Sequence, residues 1–172
     1  MAAIMADPSL APKSSEEAFL QYTSGSTRTP AGVVLTHKSI VTNVLQIFKA
    51  ANLQSPLRLS TWLPLHHDMG VILSAFVIIL GLPFDLMSPR DFIQDPTRWI
   101  RQLNRQSEDE NVYTVVPNFA LELAVRYADP AKVAELAELD LSAVDGIING
   151  SEPVHHSSVQ NFLDPFEPYG FK

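Results

Sequence analysis

Residues 22–33 read Tyr22-Thr23-Ser24-Gly25-Ser26-Thr27-Arg28-Thr29-Pro30-Ala31-Gly32-Val33. Ala18-Phe19-Leu20-Gln21 precedes them and Val33-Val34-Leu35 closes them, each patterned as a short buried strand. The connection carries five hydroxyls (Thr23, Ser24, Ser26, Thr27, Thr29), two glycines and one arginine. Gly25 and Gly32 permit backbone conformations that other residues resist. A run of small residues lets backbone N–H groups converge into an anion nest. The hydroxyls add donors, and Arg28 adds a fixed charge suited to phosphate oxygens. This is the equipment for a polyphosphate, most simply ATP; a solvated Ser/Thr-rich hairpin loop is the plain alternative.

The order of residues bears on that choice. A P-loop ending in Gly-Lys-Ser/Thr is missing. Instead Tyr-Thr-Ser-Gly-Ser-Thr-x-x-Pro-x-Gly-Val resembles the phosphate-binding loop of the adenylate-forming superfamily, which includes acyl-CoA synthetases, peptide-synthetase adenylation domains and luciferases. Arg28 stands where most members have Gly, and Ala31 where most have Lys. Both departures are similar to one branch, the fatty acyl-AMP ligases. The resemblance implies binding of ATP phosphates by Thr23, Ser24, Gly25, Ser26, Thr27 and Arg28.

Composition bounds the alternatives. A chain of 172 residues, 46% hydrophobic and 18% charged, suffices for one domain with a sizeable core. A net charge of −7 argues against a nucleic-acid surface, which needs Lys/Arg-rich faces. No cysteine occurs, so thiol catalysis, disulfides and Cys-ligated zinc are excluded within these residues. The longest apolar run, Met69 to Phe84, is broken by Gly70, Gly81 and Pro83 and falls short of the roughly 20 residues of a spanning helix. No membrane span is therefore expected. Met1 to Ser15 lacks a basic region followed by an apolar core, so it reads as a flexible leader rather than a secretory signal. The default location is cytoplasmic.

Along the chain, Thr36 is placed to cap a helix over His37 to Ala51, with Ile40, Val44, Leu45, Ile47 and Phe48 on its apolar face. Leu57 to Leu63 reads as a strand ended by Pro64. A buried helix is expected from Met69. His66-His67-Asp68 thus falls at a strand-to-helix junction, where open α/β sheets put ligands. Three readings compete for that triplet: a helix cap by Asp68, a metal-binding His-Asp dyad, and a family motif. Leu82 to Met87 reads as a strand, and Ser88-Pro89 as a break. Pro96 stands at the first position of a helix over Pro96 to Gln106. Val112 to Val116 is a strong strand that runs through Pro117-Asn118-Phe119 into another helix. On composition alone Phe119 is a core residue. Asp129 to Asp140 reads as a short acidic helix. Val144 to Ile148 is a last buried strand. It passes through Asn149-Gly150-Ser151-Glu152-Pro153 into a helix from Val154 to Phe162, a turn and helix start in its own right. His155 and His156 carry no motif.

Strands and helices alternate from Phe19 to Phe162, which predicts an α/β fold with a largely parallel sheet covered by helices. The resemblance adds roles to the junctions. Leu-Pro-Leu-x-His-Asp-Met-Gly is similar to the second core motif of the fatty acyl-AMP ligases, implying that His67 lies beside the reacting carboxylate and α-phosphate. Pro-Asn-Phe-Ala-x-Glu-Leu is similar to a segment bordering the acyl tunnel, implying acyl-site roles for Asn118 and Phe119. Gly-Ser-Glu-Pro-Val is typical of the same branch, implying that Gly150, Ser151 and Glu152 lie along the adenylate. The resemblance covers residues 16–172 as part of a large AMP-binding N-terminal domain. It implies a long-chain fatty acid and ATP as substrates, Mg²⁺ as cofactor, and an acyl carrier protein or polyketide synthase carrier domain as acceptor. The Tyr-Gly-x-x-Glu motif that holds Mg²⁺, the ribose-binding Asp and the C-terminal Lys motif do not occur in these residues. No metal ligand is expected here, and the chain is expected to be a fragment, inactive alone. An acyl-CoA ligase of the same superfamily and a non-catalytic nucleotide-binding module are the rival readings.

Overall fold

The structure, a computed structural model, describes residues 9, 11–23, 29–107 and 110–171. Ser24, Gly25, Ser26, Thr27 and Arg28, the heart of the expected phosphate loop, lie outside the described residues. The chain divides into two compact units, residues 1–52 and 53–172.

In the first unit, β1 (Glu17–Tyr22) and β2 (Gly32–Thr36) pair antiparallel, with Tyr22 opposite Gly32. Thr23 closes the ribbon: its N–H donates to Ala31 O, and its Oγ1 accepts from Ala31 N at 3.2 Å. The two strands are not buried as their apolar residues suggested. Leu20, Val33 and Val34 are exposed, because a two-stranded ribbon has no partner layer on each face. Helix α1 (His37–Ala50) follows at once. Thr36 caps it as expected: its Oγ1 accepts from Ser39 N, and Ser39 Oγ accepts from Thr36 N in return.

The second unit is a four-stranded parallel sheet of β3 (Leu57–Thr61), β4 (Phe84–Leu86), β5 (Asn111–Val116) and β6 (Val144–Asn149), in the order β4-β3-β5-β6. Between the strands run α2 (Asp68–Leu80), α3 (Pro89–Gln94), α4 (Thr97–Gln102) and α5 (Asn118–Tyr127), and α6 (His156–Phe166) follows β6. All residues of β3 are buried, and all of β5 beyond Asn111. That fits the unbroken run of β-formers in β5, whereas β3 buries Arg58, Ser60 and Thr61 along with its leucines. The core runs through aromatic contacts: Trp62 stacks on Phe92 at 4.0 Å, Phe92 meets Trp99 edge-on, and Trp99 leans on Phe162. Trp99 is fully buried, and its indole N–H donates to Thr114 Oγ1 at 3.3 Å. Burying such a ring contributes about 2–3 kcal/mol.

One face of the sheet also buries charge. Arg58 is 4% exposed, yet it bonds Glu110, Asp85 and the carbonyls of Gln102 and Asn104. Burial pulls its guanidinium toward the neutral form, but the bonds and charges of Glu110 and Asp85 outweigh that, so its pKa is raised. Burial likewise pushes the Glu110 carboxyl up. The Arg58 bond and charge and the Gln106 and Ser107 N–H groups win, holding it below the usual range.

Several helix boundaries differ from the sequence expectations. Ser88-Pro89 starts a short helix instead of merely breaking the chain, with Ser88 Oγ accepting from Asp91 N and Pro89 at the first helical position. Pro96 occupies the cap position of α4 rather than its first turn, and α4 ends at Gln102. The expected Asp129–Asp140 helix is only a 3₁₀ turn at Ala134–Leu136. There Asp129 binds Ala131 N with its side chain and Lys132 and Val133 N with its carbonyl, a cap-like turn that is not propagated into a helix. Helix α6 starts two residues later than expected and continues through Pro165.

Candidate functional site at the carboxyl ends of β3, β5 and β6

The order β4-β3-β5-β6 contains a reversal. The chain leaves β3 through α2 toward β4 on one side, and leaves β5 through α5 toward β6 on the other. A crevice beyond the carboxyl ends of β3 and β5 is where such sheets take ligands. Three expected segments stand at those ends: His66–Met69 after β3, Asn118-Phe119 after β5, and Gly150–Glu152 after β6.

The segment after β3 turns sharply. Leu63 N donates to Thr61 Oγ1, and His67 N donates to Pro64 O. Gly70 packs against that turn so closely that an added Cβ would lie 2.1 Å from Pro64 O. The cap differs from expectation: α2 starts at Asp68, and His67 holds the N-cap position. Met69 N donates to Asp68 Oδ1 at 2.9 Å and approaches His67 Nδ1 at 3.4 Å, so both side chains serve the helix end. His67 Nδ1 lies 2.6 Å from Asp68 Oδ1, and its side chain is 49% exposed. Nδ1 is thus engaged at the helix end, and Nε2 is the ring nitrogen left for a ligand.

After β5, Pro117 occupies the cap position of α5 without a side-chain bond. Asn118 is 3% exposed, and its amide is used in full within the protein. Nδ2 donates to Glu122 Oε1 and Ser158 Oγ, both at 3.1 Å. Oδ1 accepts from Asn149 Nδ2 at 3.3 Å and from His155 N at 3.2 Å. Ser158 Oγ completes the network by donating to Glu122 Oε1 at 2.7 Å. Phe119, which composition alone assigned to the core, is 38% exposed and meets Trp62 edge-on at 5.8 Å.

After β6, Gly150 N donates to Val116 O at 3.1 Å, and a Cβ added to Gly150 would meet nothing within 4 Å. Ser151 sits at φ 72°, a left-handed conformation uncommon outside glycine. Its hydroxyl contacts Met69 Sδ of α2. Glu152 Oε1 accepts from Phe119 N at 2.7 Å. These contacts bring the His67, Phe119 and Gly150–Glu152 segments to one end of the sheet. Nothing of the kind joins His66, His155 and His156 to a metal set: among the described residues no group of three or more His, Cys, Asp or Glu could hold a metal ion. Among the described residues no helix is long and apolar enough to cross a membrane.

The family signature of AMP-binding enzymes matches residues 3–170. The chain belongs to the AMP-binding enzyme family. Relatives of this AMP-binding chain include a long-chain-fatty-acid–AMP ligase, FadD32, of Mycobacterium marinum (strain ATCC BAA-535 / M), 46% identical over 156 residues. That match covers 90% of this chain and 24% of the relative. A putative fatty-acid–CoA ligase, fadD21, of Mycobacterium leprae (strain TN) is 43% identical over 162 residues, covering 90% of this chain and 27% of the relative. The crystal structure of a fatty acyl-adenylate ligase from L. pneumophila, in complex with acyl adenylate and pyrophosphate, superposes with a TM-score of 0.80 at 35% identity, covering 94% of this chain and 28% of that one. The chain thus spans about a quarter of the length of the relatives it matches. The expected α/β class with a parallel sheet is the one this family's N-terminal domain has.

Sequence reading missed the residues that support the site. Glu122 and Ser158 hold Asn118, and Met69 and Trp62 back Ser151 and Phe119. The i,i+4 pair Asn118–Glu122 on a helix was a signal available in the sequence. The Ser158 and Met69 contacts join distant segments and leave no local trace.

Proposed function

We propose that this chain carries the reacting-centre part of a fatty-acid–AMP ligase, an enzyme that activates a long-chain fatty acid with ATP. The fatty carboxylate attacks the α-phosphorus of ATP. The bond from that phosphorus to the bridging oxygen breaks, and pyrophosphate leaves with the electron pair. The products are the acyl-adenylate and pyrophosphate, and the acyl group passes on to the thiol of a carrier protein or polyketide synthase carrier domain. Thr23, Ser24, Gly25, Ser26, Thr27 and Arg28 are assigned to the β- and γ-phosphates, where they lower the cost of charge on the leaving group. His67 is assigned to the carboxylate, with Nε2–H donating to a carboxylate oxygen and holding it in line. Phe119 borders the acyl chain, and the Gly150–Glu152 backbone borders the nucleotide. Asn118 acts by holding both walls, since its own amide is already spent. Mg²⁺ accompanies ATP and screens its phosphates when bound, and no described residue is assigned to it.

The observation that carries this reading is the convergence of His67, Phe119 and Gly150–Glu152 beyond the switch in strand order, in a chain 46% identical to a fatty-acid–AMP ligase. Calorimetric titration with a non-hydrolysable dodecanoyl-AMP analogue tests it. Saturable binding that His67→Ala weakens is expected; no binding to the wild-type chain overturns it. A second reading, a fatty-acid–CoA ligase, is favoured by the relative of that name. Acyl-CoA as the product in the presence of ATP and CoA would select it over acyl-AMP.

A further inference from the structure

Glu152 stands between the two walls of the proposed site and touches each in a different way. Its carboxylate accepts from the backbone N–H of Phe119 at 2.7 Å. Helix α5 has no other side-chain cap, because Pro117 holds the cap position with none to offer. An acceptor with a full charge at that N-terminus satisfies an otherwise orphaned donor and complements the helix dipole. The same residue directly follows Ser151, which is held at φ 72° and touches Met69. Asn118 closes the circuit from below, taking Asn149 Nδ2 and His155 N on one oxygen. The 149–155 loop is thereby tied to the first turn of α5 at both ends, with the Glu152 bond placed at its tip.

We propose that Glu152 is a positioning residue that makes the acyl and nucleotide halves of the site bind interdependently. This rests on the ligase reading of the same site. Its Oε1 is committed to Phe119 N, which makes it a support of both walls of the site. A nucleotide ordering the Gly150-Ser151 backbone fixes Glu152, which fixes the start of α5 and with it the Phe119 ring. A fatty acid packed on Phe119 does the converse. Linkage requires the two effects to be equal.

The test is the affinity of the chain for AMP, measured by calorimetry with and without saturating dodecanoate. In the wild type, dodecanoate is expected to tighten AMP about tenfold, within the usual range of coupling between sites. In Glu152→Ala the ratio falls to about one, while Glu152→Gln, whose amide oxygen still accepts from Phe119 N, keeps most of it. Hydrogen exchange of the unliganded alanine variant quickens in residues 118–121 and 149–155 together. Should the alanine variant not fold, Glu152→Asp, with a shorter arm, reads the same loss. A wild type that binds both probes with independent affinities leaves the ligase reading standing and overturns this inference. So does an alanine variant with an unchanged ratio. A wild type that binds neither probe overturns the ligase reading first.

Discussion

Replacing Arg58 by methionine tests how this sheet tolerates a buried charge. The side chain is 4% exposed and is held by two carboxylates and two carbonyls. Methionine fills a similar volume but leaves Glu110 and Asp85 without their counter-charge and the Gln102 and Asn104 carbonyls without donors. Breaking a buried pair from one side costs about 3–5 kcal/mol, a large share of the roughly 5–15 kcal/mol total of a domain. With a urea m-value of roughly 2 kcal/mol/M, the unfolding midpoint falls by about 2 M at pH 7. The loss depends on pH with a definite sign. The Glu110 carboxyl is held below its usual range when folded. Its contribution is therefore complete above about pH 4.3, the ordinary glutamate value, and disappears as pH falls through the depressed folded value. The gap between wild type and variant narrows over that window. Changing Arg58, Asp85 and Glu110 together to Met, Leu and Met removes every charge and restores most of the stability. A single variant that loses less than about 1 kcal/mol at pH 7, or a gap unchanged at pH 3.5, refutes the reasoning.

Three further outcomes are expected. Gly70→Ala places a methyl 2.1 Å from Pro64 O; the backbone shift it forces costs about 1–3 kcal/mol or more, visible as a lower melting temperature despite alanine's better helix propensity. Asn118→Leu removes all four amide bonds and leaves Asn149 Nδ2 and the His155 N–H without their acceptor; a loss of about 2–4 kcal/mol in urea unfolding is expected, and an unaffected midpoint would falsify the assignment of Asn118 as the hub of that network. Residues 1–172 by themselves are expected to release no fatty-acid-dependent pyrophosphate, because they span about a quarter of the length of the relatives they match; turnover in a coupled pyrophosphate assay contradicts this.

The sheet was legible because β5 is an unbroken run of β-formers stopped by Pro117, and because β3 runs into the turn at Pro64. Thr36 was legible as a cap because capping is a local contact. The Asp129–Asp140 turn was not: its residues have helical composition, yet only Ala134–Leu136 coils, and as a 3₁₀ turn. Ser88 was read only as a chain breaker, although Ser-Pro-x-Asp also opens a helix. Motif order singled out His67, Phe119 and Glu152, which lie at one end of the sheet, but not the contacts each makes. That Asn118 is spent internally, and that Glu152 points its carboxylate at Phe119 N, depend on segments more than thirty residues apart. Periodicity carries no record of such contacts.

The most direct measurement is the pattern of amide and side-chain NMR shifts when the isotopically labelled chain is titrated with the non-hydrolysable dodecanoyl-AMP analogue. Shifts concentrated in His67, Phe119 and Gly150–Glu152 are predicted. Saturable shifts confined to other surfaces, or a spectrum that does not change, would contradict the assignment of this chain to acyl-adenylate chemistry.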